Sequence, residues 1–264
     1  MAMLKTPSVL ISGANKGIGL ELVKQLINSP VPPAQILATF WQSSPTQVKA
    51  KDNFCQELEA LANEHSFVWM IELDVTDSAS IRRAVERVEA ILGSSGLNLL
   101  INNAGINSYA TLKTVTAEDM MVVYQTNVVG PLLVTQAFLP LLKKAAQTLD
   151  MEKMSCNKAA IVNITSLLGS ITLSQKNFRS APMYPYRLSK VALNMASMCL
   201  SEDLKEHQIL SVAVHPGWVQ TDMGGEEAPM SVTDSVSNLM KLFASLSECD
   251  TGKFLDLEGR ELPW

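Results

Sequence analysis

The sequence has no Cys-x-x-Cys pair and no two neighbouring histidines: Cys55, Cys156, Cys199 and Cys249 are widely scattered, and there are only three histidines. This rules out zinc spacing and a small disulfide framework, so no metal site is expected and reduced thiols in a cytoplasmic setting are the simpler reading. Runs of Lys and Arg are also missing, and a net charge of -5 gives no electrostatic footprint for nucleic acid or an anionic membrane. Any phosphate recognition therefore has to be local. The most apolar stretch, Val128 to Leu142, is interrupted by Gly130 and Pro131 and falls short of the roughly 20 residues that cross a bilayer, so it reads as a buried helix. Near the N-terminus the apolar residues run straight into a glycine pattern without a cleavage-type segment, and no signal peptide is expected.

What is present suits one large α/β unit. With 264 residues, 47% hydrophobic and 18% charged, the chain can bury a sizeable core. Short apolar runs at Ser8 to Ser12, Ile36 to Phe40, Phe67 to Leu73, Leu97 to Ile101, Ala159 to Ile164, Leu210 to Val214 and Lys253 to Leu255 read as strands. Helical spacing of apolar residues marks Gly17 to Ile27, Thr46 to Ala62, Ser78 to Leu92, Ala117 to Ala146, Met183 to Leu204 and Ser231 to Ser247. Such alternation predicts a single Rossmann-type, doubly wound α/β domain over residues 1–264, with a central parallel sheet of about seven strands covered by helices on both faces. Met151 to Lys158, Gln175 to Pro182 and Met223 to Met230 read as irregular, the last either a substrate lid or a plain surface loop.

Two motifs carry chemistry. Gly13-Ala14-Asn15-Lys16-Gly17-Ile18-Gly19 follows the first strand and opens the first helix, where a glycine turn can bring backbone amides against a pyrophosphate. The bland alternative is a set of glycines that only permits a tight turn and close helix packing. Further on, Tyr186 and Lys190 are four residues apart, a spacing that puts both on one helix face. A phenol with a pKa of about 10 is a poor acid or base near neutrality. An ammonium at roughly 4 Å in an effective dielectric of about 20 contributes near 4 kcal/mol, so the expected effect is a lowering of the tyrosine by up to about three units.

Gly13 to Gly19, Asn102-Asn103-Ala104-Gly105, Asn127, Ser166, Tyr186 with Lys190, and Pro216-Gly217 stand in an order and spacing that resembles the short-chain dehydrogenase/reductase family over nearly the whole chain. Tyr184 to Arg187, His215 to Gly225 and the ending Leu262-Pro263-Trp264 look most like its sniffer and C-factor group of carbonyl reductases. The resemblance implies reversible hydride transfer between a nicotinamide and a carbonyl or alcohol carbon. Tyr186 is then the general acid, and Ser166, with Thr165 as its competitor, donates to the substrate oxygen. Lys190 tunes the phenol and bonds the nicotinamide ribose, and Asn127 helps hold a water connecting Lys190 to solvent.

For the cofactor the resemblance implies contacts at Gly13, Asn15, Lys16, Gly17, Ile18, Gly19, Asp74, Val75, Asn102, Ala104, Gly105, Tyr186, Lys190, Pro216, Gly217, Val219 and Thr221, with Asn103 mainly structural. Asp74 or Asp77 equally fits a helix N-cap. The second strand ends Ala38-Thr39-Phe40-Trp41-Gln42, with neither an acid for ribose hydroxyls nor an arginine for a 2′-phosphate. Lys16, otherwise readable as a solvated lysine, tips the expectation to NADP (NADPH), with NAD disfavoured. The interval from Ser166 to Tyr186 is longer than is usual in the family and is expected to border the substrate entrance. His215 is expected to be structural; Trp218 and Trp264 fit pocket lining or packing.

The expected activity is reduction of a ketone, aldehyde or quinone by an NADP-dependent enzyme whose partner is a small-molecule carbonyl or alcohol, with a homodimer or homotetramer implied by resemblance. Against it stand a non-catalytic dinucleotide-binding redox sensor or interaction protein, and an epimerase or dehydratase for which the short C-terminal region leaves little room.

Overall fold

A computed structural model of the chain describes residues 3–41, 55–148 and 153–264. Seven strands, β1 (Ser8–Ile11), β2 (Gln35–Phe40), β3 (Val68–Glu72), β4 (Leu99–Asn102), β5 (Ala160–Ile164), β6 (Leu210–Val214) and β7 (Phe254–Leu255), form one sheet in the order β3-β2-β1-β4-β5-β6-β7. All six pairings are parallel. Parallel neighbours need crossovers, and helices supply them: α1 (Gly17–Ile27), α2 (Gln56–Glu64), α3 (Ser78–Leu92), α4 (Ala117–Tyr124), α5 (Gly130–Thr148), α6 (Ile171–Asn177), α7 (Tyr184–Asp203) and α8 (Val232–Ser245).

The strands are buried on both faces, and their period of two divides the core. Val9 and Ile11 pack with Leu22, Leu26, Leu239 and Phe243 of α1 and α8, while Leu10 between them packs with Val88, Val134 and Phe138 of α3 and α5. The strand order reverses between β1 and β4, and this is where a doubly wound sheet opens a crevice at its carboxyl ends.

Three boundaries differ from the sequence expectation. The helix expected over 46–62 lies partly outside the described residues, and its observed part is α2. The single helix expected from Ala117 to Ala146 is interrupted by a π-helical turn, Gln125–Val129, between α4 and α5. Together that run, Ala117–Gln147, has the length and composition of a membrane span, but half of its most apolar window is buried inside the protein, which is what a core helix requires. Finally, Gln175 to Pro182 is not wholly irregular, because α6 reaches Asn177; Ser170 caps it, its Oγ accepting from Leu173 N. Residues 151–152 of the expected loop at 151–158 lie outside the described residues.

Candidate active site

At the crevice a cavity of about 2540 Å³ is walled by the glycine turn, the ends of β3 and β4, the start of α7, and the loops after β5 and β6. Gly13 occupies φ +65°, a left-handed conformation in which a side chain is strained, and it turns the chain from β1 into α1. Lys16, the N-cap of α1, makes no side-chain capping bond, and no acidic side chain sits in the first turn. The helix therefore presents its N-terminal amides to the cavity with no capping side chain and no acid of its own first turn, which fits a pyrophosphate. Gly13, Asn15, Lys16, Gly17 and Ile18 line the wall. Gly19 does not: it lies behind the turn, where a Cβ would stand 2.2 Å from Gly13 O, so its role is close packing.

The two asparagines that close β4 take different places, Asn102 away from the cavity and Asn103 on its wall. Leu100 faces α3 and α5, and two residues on Asn102 faces the same way, its Nδ2 donating to Thr135 Oγ1 and Asn163 Oδ1. Asn102 is thus buried between strands and helix and is not a cavity residue. Asn103 reaches the wall instead, and its Nδ2 donates to Ser12 O and Gly13 O, holding the glycine turn. Ala104 and Gly105 follow on the same wall, as do Asp74 and Val75 after β3. The Asp74 carboxylate accepts from Thr76 N and Oγ1, whereas Asp77 caps α3 by accepting from Ala79 N and Ser80 N.

Tyr186 and Lys190 share one face of α7, with Lys190 Nζ 5.5 Å from the phenol ring centroid. The Lys190 ammonium is buried, donates to Ile164 O at 2.9 Å, and is lowered to about 8 by burial. Tyr186 is half-buried by surface exposure but lies deep enough for desolvation to dominate: its phenol is raised to about 12, against an opposing hydrogen bond from Ser166. The expected lowering of the phenol by Lys190 is therefore reversed in the protein alone. Burial penalises both charged forms and is the largest cause of the shift.

Ser166, the expected donor, and its competitor Thr165 differ in commitment. Thr165 Oγ1 is tied to Asn194 Oδ1 at 2.7 Å, whereas Ser166 is in reach of the Tyr186 phenol. Asn127 is fully buried in the π-helical turn and does not line the cavity. Its Oδ1 accepts from Ile106 N, and its Nδ2 donates to Ile106 O and Ser189 Oγ. Both N–H groups of the side chain are thus engaged with protein. Ser189 Oγ in turn donates to Tyr186 O, so Asn127 braces the helical turn that carries the phenol.

Pro216, Gly217, Val219 and Thr221 form the wall after β6, and the loop continues as an irregular segment along the cavity through Met223, Gly224 and Glu227. Two ties reach it from elsewhere in the chain, Lys16 Nζ pairing with Asp222 Oδ2 at 2.9 Å and Tyr109 Oη donating to Met223 O, and within it Trp218 Nε1 donates to Gly224 O and Gln220 Nε2 to Ala228 O. Trp218, more than half exposed, lines the cavity, while Trp264 stacks on Phe254, so the two tryptophans divide between lining and packing. His215 borders the cavity with its Nδ1 buried and unpartnered, and burial lowers it to about 4. The long interval before Tyr186 forms the facing wall through Asn177, Ser180, Ala181 and Met183. Buried Arg187 anchors it, donating from Nε to Ala181 O and from Nη2 to Asn177 O. Among the described residues no cluster of His, Cys, Asp and Glu suits a metal ion.

The short chain dehydrogenase family profile matches residues 7–231. The NADPH-bound carbonyl reductase from chicken fatty liver superposes with a TM-score of 0.93 at 45% identity, covering 100% of this chain and 96% of that one. Carbonyl reductase Sniffer of D. melanogaster gives 0.89 at 39% identity, covering 98% and 100%. The C-signal protein of Myxococcus xanthus is 37% identical over 169 residues, 64% of this chain and 93% of its own. With a profile match over most of its length, the chain belongs to the short-chain dehydrogenase family.

Proposed function

We propose that the chain is an NADP-dependent carbonyl reductase acting on a ketone, aldehyde or quinone, with Tyr186 as general acid. The observation that carries this reading is the meeting of Ser166, Tyr186 and Lys190 on the wall of a cavity that the uncapped N-terminus of α1 also lines. The NADPH-bound state of the chicken enzyme supports the choice of cofactor.

NADPH, when bound, supplies the hydride. The amides around Gly13 to Ile18 would hold its phosphates, Lys16 its 2′-phosphate, Asp74 and Val75 its adenine, and Lys190, Val219 and Thr221 its nicotinamide half. Its burial keeps the Tyr186 phenol protonated at neutral pH, the form that can give a proton to a carbonyl oxygen. As that oxygen gains charge, Ser166 donates a hydrogen bond to it. The phenol proton passes to the substrate oxygen, and the phenolate left behind faces the Lys190 ammonium. Asn127, through Ser189, keeps the Tyr186 turn in register as a positioning residue.

The loop at about 223–230 serves as a substrate lid in this reading, because it walls the cavity and is held by side-chain ties at Asp222 and Met223. Four free cysteines agree with a cytoplasmic setting. Exposed Met121 and Val122 on α4 and Leu188 and Met195 on the adjacent α7 offer an apolar surface for a second copy in a homodimer or homotetramer.

NADPH oxidation with a panel of ketones, aldehydes and quinones tests the proposal. Tyr186→Phe is expected to lower kcat by about 10²–10⁴-fold, the usual contribution of a positioned acid. Turnover equal to wild type in both Tyr186→Phe and Lys190→Ala would refute the assignment, and parallel NADH titrations decide the cofactor preference.

A further inference from the structure

Arg187 is only 6% exposed, yet among the described residues no carboxylate pairs with it. A buried charge needs compensation, and the backbone carbonyls of one short segment provide it. Nε donates to Ala181 O at 2.7 Å and Nη2 to Asn177 O at 2.8 Å. Asn177 is the last residue of α6, where the helix carbonyls have no partner within the helix and the dipole is negative, so a cation suits the place. The guanidinium also stands 5.4 Å from the centroid of the Phe178 ring, which meets Tyr184 edge-on at 5.7 Å. One side chain thus gathers both ends of the turn from Asn177 to Ala181 and a ring between them.

Arg187 does not line the cavity, but Asn177 and Ala181, whose carbonyls it holds, both do. Its neighbour in sequence is Tyr186, so the guanidinium joins the helical turn that carries the phenol to the wall that faces it. The phenol has a separate brace, because Ser189 Oγ donates to Tyr186 O and Asn127 Nδ2 donates to Ser189 Oγ. The two braces share no side chain. Withdrawing the guanidinium leaves the carbonyls of Asn177 and Ala181 without their donor and loosens the wall, while the brace on the phenol stays closed.

The geometry points to Arg187 as a positioning residue for substrate binding: its planar fork fixes how far the wall from Asn177 to Met183 stands from the Tyr186 phenol, and substrate affinity, not proton transfer, depends on it. This inference rests on the carbonyl-reductase reading and adds to it a residue that touches neither substrate nor cofactor.

The test is steady-state kinetics of wild type, Arg187→Met and Arg187→Lys with NADPH and a carbonyl compound that wild type reduces. In Arg187→Met, KM is expected to rise on the order of tenfold while kcat stays within about threefold, the pattern of lost binding rather than lost transition-state stabilisation. Arg187→Lys keeps the charge but not the fork, and is expected to fall between the other two. Trypsin supplies a readout independent of turnover, because Lys176 and Arg179 are exposed on the held segment. Cleavage after either is expected to be faster in Arg187→Met on the order of tenfold. NADPH binding by fluorescence should match wild type in both variants. An unchanged KM in a variant that binds NADPH, a fall confined to kcat, or wild-type resistance to trypsin would overturn the role of Arg187 alone. Should Arg187→Met lose NADPH binding, the decision passes to Arg187→Lys on the same criteria. No turnover of any carbonyl compound by wild type would overturn this inference together with the reading beneath it.

Discussion

Replacing Lys190 by Met makes the buried ammonium measurable as stability against pH. In the folded chain the group is lowered from 10.5 to about 8, and burial is the cause. Below about pH 8 the folded state must carry a desolvated charge that the unfolded state keeps in water, so the penalty is fully present. Between about 8 and 10.5 the folded state has released the proton while the unfolded state still binds it, and stability rises with pH. From pH 7.5 to 9.5 this amounts to about 2 kcal/mol in favour of folding, or roughly 4–8 °C in Tm for a chain of this size. Buried Cys156 works in the opposite direction over part of the same window. Its thiol is raised from 9.0 to about 12, so the unfolded state loses a proton first and stability falls. Wild type alone would therefore mix two trends, and the informative quantity is the difference between wild type and Lys190→Met, in which the Cys156 contribution cancels. Thermal unfolding of both proteins without cofactor at the two pH values measures it. Wild type should gain several degrees on the variant as pH rises; parallel curves, or a gain by the variant, would show that Lys190 is not desolvated as its burial and its bond to Ile164 O imply.

Gly19→Ala drives a methyl group into Gly13 O at 2.2 Å and Asn103 Nδ2 at 2.7 Å, and overpacking of this kind is expected to destabilise by about 1–3 kcal/mol and to weaken NADPH binding. Urea unfolding with a wild-type midpoint would contradict it. Asp222→Asn removes a carboxylate from Lys16; because both side chains of the pair are largely exposed, at 54% and 74%, the competition is worth only about 0.2–1 kcal/mol. The expected gain in NADPH affinity is at most about fivefold and fades at high salt, and a loss of affinity would count against a phosphate-facing Lys16. Met195→Asp places a charge on the exposed apolar surface of α7 and should shift any dimer toward monomer by light scattering, with no shift expected if that surface is not the interface.

Legibility in the sequence followed the strength of each periodic signal. The bounds of α1, α3 and β6 agree with the apolar pattern because each is a long or fully buried element with one clear period. The strand order was not readable, since it depends on which crossover each helix takes. The π-helical turn was hidden because a single inserted residue barely disturbs a helical pattern, although Asn127 inside an apolar helix marked the place. Which of Asn102 and Asn103 stands on the cavity wall was not legible for a related reason: adjacent residues at a strand end face opposite sides, and in a sheet covered on both faces neither side betrays itself by polarity. The direction of the Tyr186 shift was missed because spacing shows which charge is near but not how much water has been removed, and burial is the larger effect here.

The site residues divide according to what their hydrogen bonds already do. Asn103, Asn127, Thr165 and Ser189 bind backbone or one another across β1, β4, the π-helical turn and α7, so they fix where Ser166, Tyr186 and Lys190 stand relative to the glycine turn. None of them has to move for a different substrate to enter. Of the three amides whose buried oxygen lacks a protein partner, Asn102 lies away from the cavity, while Asn107 and Asn177 stand on the loop after β4 and at the end of α6 in the long interval before Tyr186. Chemistry and substrate choice are thereby assigned to separate parts of the chain. On the proposed reading, a change in the loops can alter which carbonyl compound is accepted without disturbing Tyr186, because the network holding that residue is closed on itself. The same separation explains why the residues of the hydride-transfer apparatus were readable from order and spacing, while those that face the substrate emerged only when the walls of the cavity were in view.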